Sequence, residues 1–244
     1  MHTPERSSVS FLVNTDKFYS IGIQIELKKI SFILIDLLGR IKKERTILNL
    51  EYNNNTFSQI LSSLFNEFFN EIDKEIKDKI LGIGISFPGI VDRKKLKILD
   101  GINLNLKNID LNDIFKKYDL NVYLENDANA CIYSEKILGK AQKDENFVVI
   151  SIGSGIGAGV YINFFSIGLS NILLTFDINN IIISGNLAKY IEKYQQDILK
   201  NIQKNIFFKN YPLNILCSNL NERSSILGAA LIPISDFFNL VNSD

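Results

Sequence analysis

A strand, a polar cluster, a helix and a glycine-rich turn follow one another over residues 121–163, NVYLENDANACIYSEKILGKAQKDENFVVISIGSGIGAGVYIN. The first strand is apolar and ends in Glu125-Asn126-Asp127, and a second strand over 147–152 leads into a glycine turn over 153–159. In open α/β sheets, ligands bind beyond the ends of such strands. Successive backbone N–H groups in a glycine turn form a concave site for an anion. The stretch therefore predicts a site for a small polar molecule, with room for a phosphate beside it.

The composition excludes several classes of function. The 244 residues carry a formal net charge of zero, which gives no indication of binding to nucleic acid or an anionic membrane. The only histidine is His2, so a mechanism that needs an internal imidazole is excluded. Cys131 and Cys217 lack the spacing of a disulfide framework or a zinc site, and we expect no bound metal. We predict a cytoplasmic protein, because the sequence shows neither a signal-peptide pattern nor an apolar run long enough to span a membrane.

The spacing of apolar residues predicts the secondary structure. Alternation over 18–36 predicts a β-hairpin that turns near 26–28. Apolar residues three and four positions apart over 57–79 predict an amphipathic helix, capped by Thr56 or Ser58. The other predicted strands are 41–50, 81–87, 181–184 and 214–216, the other predicted helices are 111–118, 164–176, 187–208 and 224–232, and a loop with a small hairpin covers 92–108.

The order of these elements predicts two α/β lobes. Three strands come first, and helices and strands then alternate towards the C-terminus. We place the seam between the lobes within 135–153. The predicted division is an irregular N-terminal segment over 1–16, a first lobe over 17–137 and a second lobe over 138–244.

Five stretches, in this order along the chain, resemble the ROK family of repressors and sugar kinases. They are LGIGISFPGIV from residue 81, LENDANACIYSE from 124, VVISIGSGIGAGVYI from 148, FDINNIIISG from 176 and LGAAL from 227. The second and third are the specific ones. The resemblance implies an α/β fold of the actin-like ATPase (ribonuclease H-like) type with two lobes.

The sequence departs from the kinases of that family at their N-terminal phosphate loop. ROK kinases resemble one another in an Asp followed by a Gly-Gly-Thr-like turn after the first strand, and the matching positions here are 24–28. Gln24 replaces the acidic residue, and Glu26 and Leu27 replace the glycines. These side chains block the approach of phosphate oxygens, and Glu26 repels them. We therefore expect no cofactor, and Mg–ATP only under a kinase alternative.

A second departure follows residue 163. The resemblance implies a Gly-Glu-Ile-Gly-His sugar-binding motif and a zinc knuckle there, but the sequence passes within a few residues to a later helix of the family pattern. We therefore expect a shortened C-terminal lobe. Residues 6–16 resemble the segment that joins the winged helix-turn-helix of the family's repressors to their sugar domain. We expect DNA binding only through such a domain, which this chain does not contain, and a homodimer by the same resemblance.

The resemblance also assigns candidate site residues. The predicted sugar contacts are Asn103, Asn126 and Asp127, and Asp127 is the general base if the protein is a kinase. The alternative for Asp127 is a structural role as the cap of the helix that follows it. Candidate phosphate or nucleotide contacts, vestigial in a repressor, are Gly153, Ser154, Gly155, Gly157 and Gly185. The alternative for the glycine run is a tight turn that needs positive φ.

Two classes of function remain. The first is the sugar-sensing domain of a carbohydrate-responsive transcriptional regulator, similar to the xylose or N-acetylglucosamine repressors of the family and without kinase activity. The second is an ATP-dependent kinase that phosphorylates a hexose. A remnant fold without a ligand is the third possibility. The altered phosphate loop and the missing histidine and zinc cysteines favour the sensor.

Overall fold

The structure is a computed structural model, and it describes residues 14–144, 146–152, 156–162, 180–185, 188, 192–196 and 214–238. The predicted helix over 164–176 and most of the one over 187–208 lie outside the described residues. Within the described part of the chain, no helix is long and apolar enough to cross a membrane.

The described residues form twelve strands and five α-helices. The strands are β1 (Tyr19–Glu26), β2 (Lys29–Asp36), β3 (Ile41–Leu48), β4 (Ile80–Phe87), β5 (Ile90–Asp92), β6 (Lys97–Gly101), β7 (Leu106–Asp110), β8 (Asn121–Asn126), β9 (Asn146–Ile152), β10 (Ile156–Ile162), β11 (Asn180–Ser184) and β12 (Asn214–Cys217). The helices are α1 (Phe57–Asn70), α2 (Lys74–Lys77), α3 (Asn112–Phe115), α4 (Asp127–Ile137) and α5 (Ser224–Phe238).

The first sheet has the strand order β3-β2-β1-β4-β8. The predicted hairpin is confirmed: β1 and β2 pair antiparallel up to Glu26 and Lys29, across a two-residue turn. Strands β1, β4 and β8 run parallel, with Gln24 beside Ser86 and Phe87 beside Asn126. The carboxyl ends of these three strands therefore meet at one edge of the sheet, where a ligand is expected.

Helices cover both faces of the first sheet. The rings of α1 pack on one face, where Phe32 and Phe68 stack with centroids 5.4 Å apart. Helix α5, the last element of the chain, packs on the other face. It approaches so closely that a Cβ at Gly84 would collide with the carbonyl of Ala229. Burial of each large side chain contributes about 1.5–3 kcal/mol, so this double cover supplies most of the core.

The helix predicted over 57–79 is divided in two. Helix α1 ends at Asn70 and α2 begins at Lys74, because Asp73 has an extended backbone with ψ of 142°. Thr56 occupies the predicted cap position of α1 but its side chain makes no capping bond. Instead, Oδ1 of Asn53 accepts a hydrogen bond from the backbone N–H of Thr56 at 3.2 Å.

The second sheet has the strand order β10-β9-β11-β12 within the described residues. Strands β9 and β10 pair antiparallel, while β9, β11 and β12 run parallel. The glycine turn predicted over 153–159 is shorter than expected, because β10 already begins at Ile156 and Gly157 pairs with Ser151. Residues 153–155 lie outside the described part of the chain.

Helix α4 contacts both sheets. It packs against β9 and β10 on one side and against α5 on the other. A Cβ at Gly159 would lie 2.6 Å from the carbonyl oxygen of Ala128, and one at Gly228 would collide with the carbonyl of Ala130. The predicted division at residues 137 and 138 stays a prediction. The structure adds that α5, from the predicted second lobe, completes the core of the first sheet.

A third, small sheet replaces the predicted loop over 92–108. Strands β5, β6 and β7 pair antiparallel in that order, so the region has one strand more than the predicted hairpin. A 3-10 helix, Ile102–Leu104, joins β6 to β7 and carries Asn103. The small sheet thereby brings Asn103 to the edge where β4 and β8 end.

Candidate functional site

The strand ends of both sheets open onto one cleft with a volume of about 380 Å³. Five of the predicted site residues line it: Asn103, Asn126, Asp127, Gly157 and Gly185. The other three, Gly153, Ser154 and Gly155, lie outside the described residues. The structure thus places all the described candidates, which the sequence spreads from residue 103 to 185, around a single space.

Asn126 caps helix α4. Its Oδ1 accepts hydrogen bonds from the backbone N–H groups of Ala128 at 3.0 Å and Asn129 at 3.4 Å. Its Nδ2 donates to the carbonyl oxygen of Gly89 at 3.0 Å, which ties the helix to the turn after β4. The structural alternative for Asp127 is therefore wrong in detail, because the cap is Asn126 and Asp127 is the first helical residue. One N–H of the Asn126 amide remains for a ligand.

Glu125 is a structural carboxylate beside the cleft. Its side chain is only 5% exposed and forms an ion pair with Nε of Arg93 at 3.0 Å. Its Oε1 also accepts from the backbone N–H of Asn126 at 2.8 Å and from Nδ2 of Asn129 at 3.1 Å. Buried charges need such partners. Sequence reasoning missed this pair, because Arg93 sits in a run of basic residues that is typical of a solvated turn.

Asp127 differs from Glu125 in its surroundings. Burial raises the pKa of its carboxyl, the backbone N–H groups of Ala128 and of Asp127 itself lower it, and the charge of Glu26 raises it further. The helix N-terminus favours the charged form as well. No lysine, arginine or histidine lines the described part of the cleft. Asp127 can therefore accept hydrogen bonds from ligand hydroxyls without competition from a cation.

Gly157 and Gly185, two glycines of the cleft, are required for different structural reasons. Gly157 lies in β10, and a Cβ there would lie 3.0 Å from the Cβ of Ala128, so the glycine permits close packing of the strand on α4. Positive φ, the sequence-based alternative, does not apply to Gly157. It does apply to Gly185, whose φ is +93° after the end of β11.

Serine side chains also line the cleft, as a group made up of Ser151, Ser184, Ser224 and Ser225. Ser224 and Ser225, in the first turn of α5, already have partners, Ser134 at 2.9 Å and Ser86. Ser184 lies at the end of β11 beside Ser151 and is fully buried, and within the described part of the chain its Oγ has no hydrogen-bond partner. A buried hydroxyl without a partner costs free energy, so it is a candidate ligand contact. The sequence offered no signal for it beyond its position next to Gly185.

Cys131 lies below this serine group. It is buried, and burial raises the pKa of its thiol to about 12. A thiol with so high a pKa is not a nucleophile at neutral pH. Cys131 is therefore a small buried residue on α4.

The hairpin that would hold Mg–ATP in a kinase does not fit that cofactor. Its turn, Leu27 and Lys28, has no glycine, and Lys28 adopts a φ of +56°. Glu26 lines the cleft and pairs with Lys29 at 2.7 Å. A phosphate chain at this point would meet a carboxylate and two side chains where backbone N–H groups are needed. Among the described residues, no group of three or more His, Cys, Asp or Glu side chains could hold a metal ion.

A family model described as "ROK family" matches residues 20–168, which is more than half of the chain. The chain belongs to the ROK family. Among its curated relatives is the xylose repressor of Bacillus subtilis (strain 168), 36% identical over 160 residues that make up 65% of this chain and 41% of the repressor. The chain thus spans less than half the length of that relative.

Solved structures of ROK proteins share the fold. One is a ROK family transcriptional regulator described as a homolog of the Escherichia coli MLC protein, with a TM-score of 0.76 at 17% identity over 91% of this chain and 79% of that one. Another is a ROK family glucokinase from Streptomyces griseus, solved with glucose and AMPPNP, with a TM-score of 0.70 at 17% identity over 87% of this chain and 98% of that one. The predicted α/β fold of the actin-like ATPase type is confirmed. Repressor and kinase share it, so the fold does not choose between them.

Proposed function

We propose that this chain is the sugar-sensing domain of a carbohydrate-responsive transcriptional regulator of the ROK family, without kinase activity. The observation that carries the proposal is that one cleft keeps three of the polar residues expected to contact a sugar, Asn103, Asn126 and Asp127, beside an altered phosphate side. Asn126 and Asp127 stand at the edge where three parallel strands end. Glu26 and the turn after it occupy the place of a phosphate loop.

The cleft suits a ligand with several hydroxyl groups. The carboxylate of Asp127 can accept hydrogen bonds from ligand hydroxyls. Asn103, the free N–H of Asn126 and the hydroxyl of Ser184 supply further polar contacts in the cleft. These groups belong to both sheets and to the small sheet. A sugar that joins them would favour one arrangement of the parts over others, and this differential binding is what a sensor needs.

A kinase is the alternative, and Asp127 is the residue that favours it. A carboxylate at the head of α4 whose pKa is raised by burial is suited to accept a proton from a sugar hydroxyl. The altered hairpin counts against the alternative. A kinase acts mainly by positioning the phosphates and stabilising their charge, and this is the part of the site that the hairpin has lost.

Thermal unfolding with a panel of free sugars and sugar phosphates, with and without Mg–ATP, tests the proposal. A ligand at a hundred times its dissociation constant adds about 2.7 kcal/mol of stability, a shift of several degrees. We expect one sugar to stabilise the chain and Mg–ATP to add nothing. Stabilisation by Mg–ATP together with formation of a sugar phosphate would establish the kinase, and no shift with any sugar would contradict both functions.

The partners beyond the sugar stay predictions. DNA is expected as a partner only through a domain outside these residues, and a homodimer is expected from the resemblance alone. The cytoplasmic location is likewise a prediction. Gel filtration with light scattering measures the oligomeric state with and without the stabilising sugar.

A further inference from the structure

The cleft has an unbalanced charge. Three carboxylates line it, Glu26, Asp127 and Glu222, and its described lining contains no basic side chain. We propose that the cleft selects an uncharged sugar and rejects the phosphorylated form of the same sugar. The proposal rests on this charge and on the serine group of the cleft. The inference rests on the proposed function and names the chemical class of its ligand.

Among the described residues, three basic side chains near the cleft are already paired with carboxylates. Lys29 pairs with Glu26 at 2.7 Å, and Arg93 pairs with Glu125 at 3.0 Å. Arg223, next to Glu222, pairs with Glu44 at 2.9 Å. A phosphate that entered the cleft would have to break one of these pairs or stay without a cation. Either choice costs free energy that an uncharged hydroxyl does not pay.

The electrostatic field at Asp127 reports the same imbalance. Burial is the largest cause of the raised pKa of the Asp127 carboxyl, and the charge of Glu26 raises that pKa further, so a second negative charge acts at this point of the cleft.

The serine group supplies the second, independent observation. Ser184 is fully buried and lines the cleft, and its Oγ has no hydrogen-bond partner among the described residues. By strand alternation its side chain is on the same face as Ile182, which packs in a cluster with Cys131 of α4. A hydroxyl is a donor and an acceptor at once, so it matches a sugar hydroxyl and contributes no charge to hold a phosphate.

Isothermal titration calorimetry with matched ligand pairs tests the inference. The pairs are xylose and xylose 1-phosphate, glucose and glucose 6-phosphate, and N-acetylglucosamine and its 6-phosphate, at a pH near 7.5 where the phosphate is mostly dianionic. We expect the phosphorylated member of the pair that binds to be at least about tenfold weaker. A phosphorylated sugar that binds as tightly as the free sugar, or alone, overturns the inference and leaves the sensor standing. No binding by any member overturns the proposed function itself.

A double variant assigns the selectivity to the carboxylates of the cleft. Glu26→Gln with Glu222→Gln removes two charges and leaves Asn126 and Asp127 in place. We expect the phosphorylated sugar to bind roughly three- to tenfold more tightly and the free sugar to change by less than about twofold. The matched control, Glu67→Gln with Glu71→Gln, removes two exposed carboxylates that pair with Arg45 outside the cleft. An equal gain in this control would assign the selectivity to net charge and overturn the inference.

Discussion

The two ends of helix α4 carry carboxylates with opposite surroundings. At the C-terminal end, Glu135 is fully buried and accepts hydrogen bonds from the hydroxyls of Ser218 and Ser224 and from the backbone N–H of Lys140 at 3.0 Å. At the N-terminal end, Asp127 faces the cleft, where burial raises the pKa of its carboxyl. A carboxylate that protein groups satisfy holds structure together, and one that they leave partly unsatisfied is available to a ligand.

The partners of Glu135 explain why it belongs to the structure. Ser218 follows the last strand of the second sheet, and Ser224 begins α5, which covers the first sheet. One side chain on α4 therefore joins segments of both parts of the molecule. The cleft lies at the other end of the same helix. The hydrogen bonds of Glu135 therefore fix the position of the helix that carries Asp127.

The contact between α4 and α5 holds helix α4 in place. Its loss is expected to have the largest effect on the free energy of unfolding. In Gly228→Ala, the new Cβ would collide with the carbonyl of Ala130, and we expect a loss of about 3 kcal/mol in the free energy of unfolding, measured by urea titration. Gly157→Ala is the matched control on the other side of α4, where the new Cβ would lie 3.0 Å from a side-chain methyl group. An equal loss in both variants would contradict the tight α4–α5 contact.

Truncation of Glu135 comes next. Glu135→Ala leaves the buried hydroxyl of Ser218 and the backbone N–H of Lys140 without their acceptor, while Ser224 keeps its bond with Ser134, so we expect a loss of about 2–3 kcal/mol in the same titration. Glu135→Gln keeps one acceptor oxygen and is expected to lose less. A variant as stable as the parent would show that these hydrogen bonds do not hold the segments together.

Neutralisation of Asp127 is expected to weaken ligand binding. Asp127→Asn replaces a charged acceptor by a neutral amide of the same shape, and we expect the affinity for the stabilising sugar to fall about tenfold or more. Calorimetry measures the dissociation constant. An unchanged constant would remove Asp127 from the site and weaken the contrast with Glu135.

The pH dependence of stability follows from the same carboxyl. Because folding raises the pKa of Asp127 above its ordinary value of 3.8, the folded chain binds this proton more tightly than the unfolded chain. Its charged form therefore opposes folding at neutral pH, and this penalty disappears as the pH falls through the raised pKa. The stability gained by Asp127→Asn is expected to grow as the pH rises from the ordinary value of 3.8 through the raised pKa, and to stay constant above it. A gain that shrinks over this range would contradict the assigned direction.

The smallest effects are expected at two buried serines. Ser184 and Ser235 both carry a buried hydroxyl that has no partner among the residues the structure describes, but only Ser184 lines the cleft. Replacement of either by Ala should stabilise the ligand-free chain by up to about 1 kcal/mol. Only Ser184→Ala should weaken sugar binding, several-fold by calorimetry. A similar loss in Ser235→Ala would show that the effect does not arise from contact with the ligand.

Much of the fold follows from local sequence patterns. Alternation predicted the hairpin of β1 and β2, and the apolar spacing of three and four residues predicted α1. The errors fall where a local pattern continues past a break in the backbone, as at Asp73, or where glycines suggest a turn although they serve close packing, as at Gly157. Periodicity reports which face of an element is apolar, and it contains no information on how closely a neighbour approaches.

The candidate site was predicted in part for the same reason. Asn126 and Asp127 are adjacent in sequence, so their motif is visible without a structure. Ser184 was missed, because only the folded structure shows that its hydroxyl is buried and has no partner among the described residues. The role of Arg93 depends on Glu125, a residue 32 positions away that the antiparallel small sheet brings within 3.0 Å.

The amino-acid sequence alone determined the family, the hairpin of β1 and β2, helix α1 and the altered phosphate loop, since each is encoded in neighbouring residues. The tertiary structure decided that α5 closes the first sheet, that Glu135 binds Ser218 and Ser224, and that Ser184 shares a cleft with Asp127. Asp127 and Ser184 are 57 positions apart in the sequence, and Glu135 is 83 and 89 positions from its two serine partners, so these relations span roughly the length of a lobe. Only burial in the folded chain defines which polar groups find a partner and which are left for a ligand.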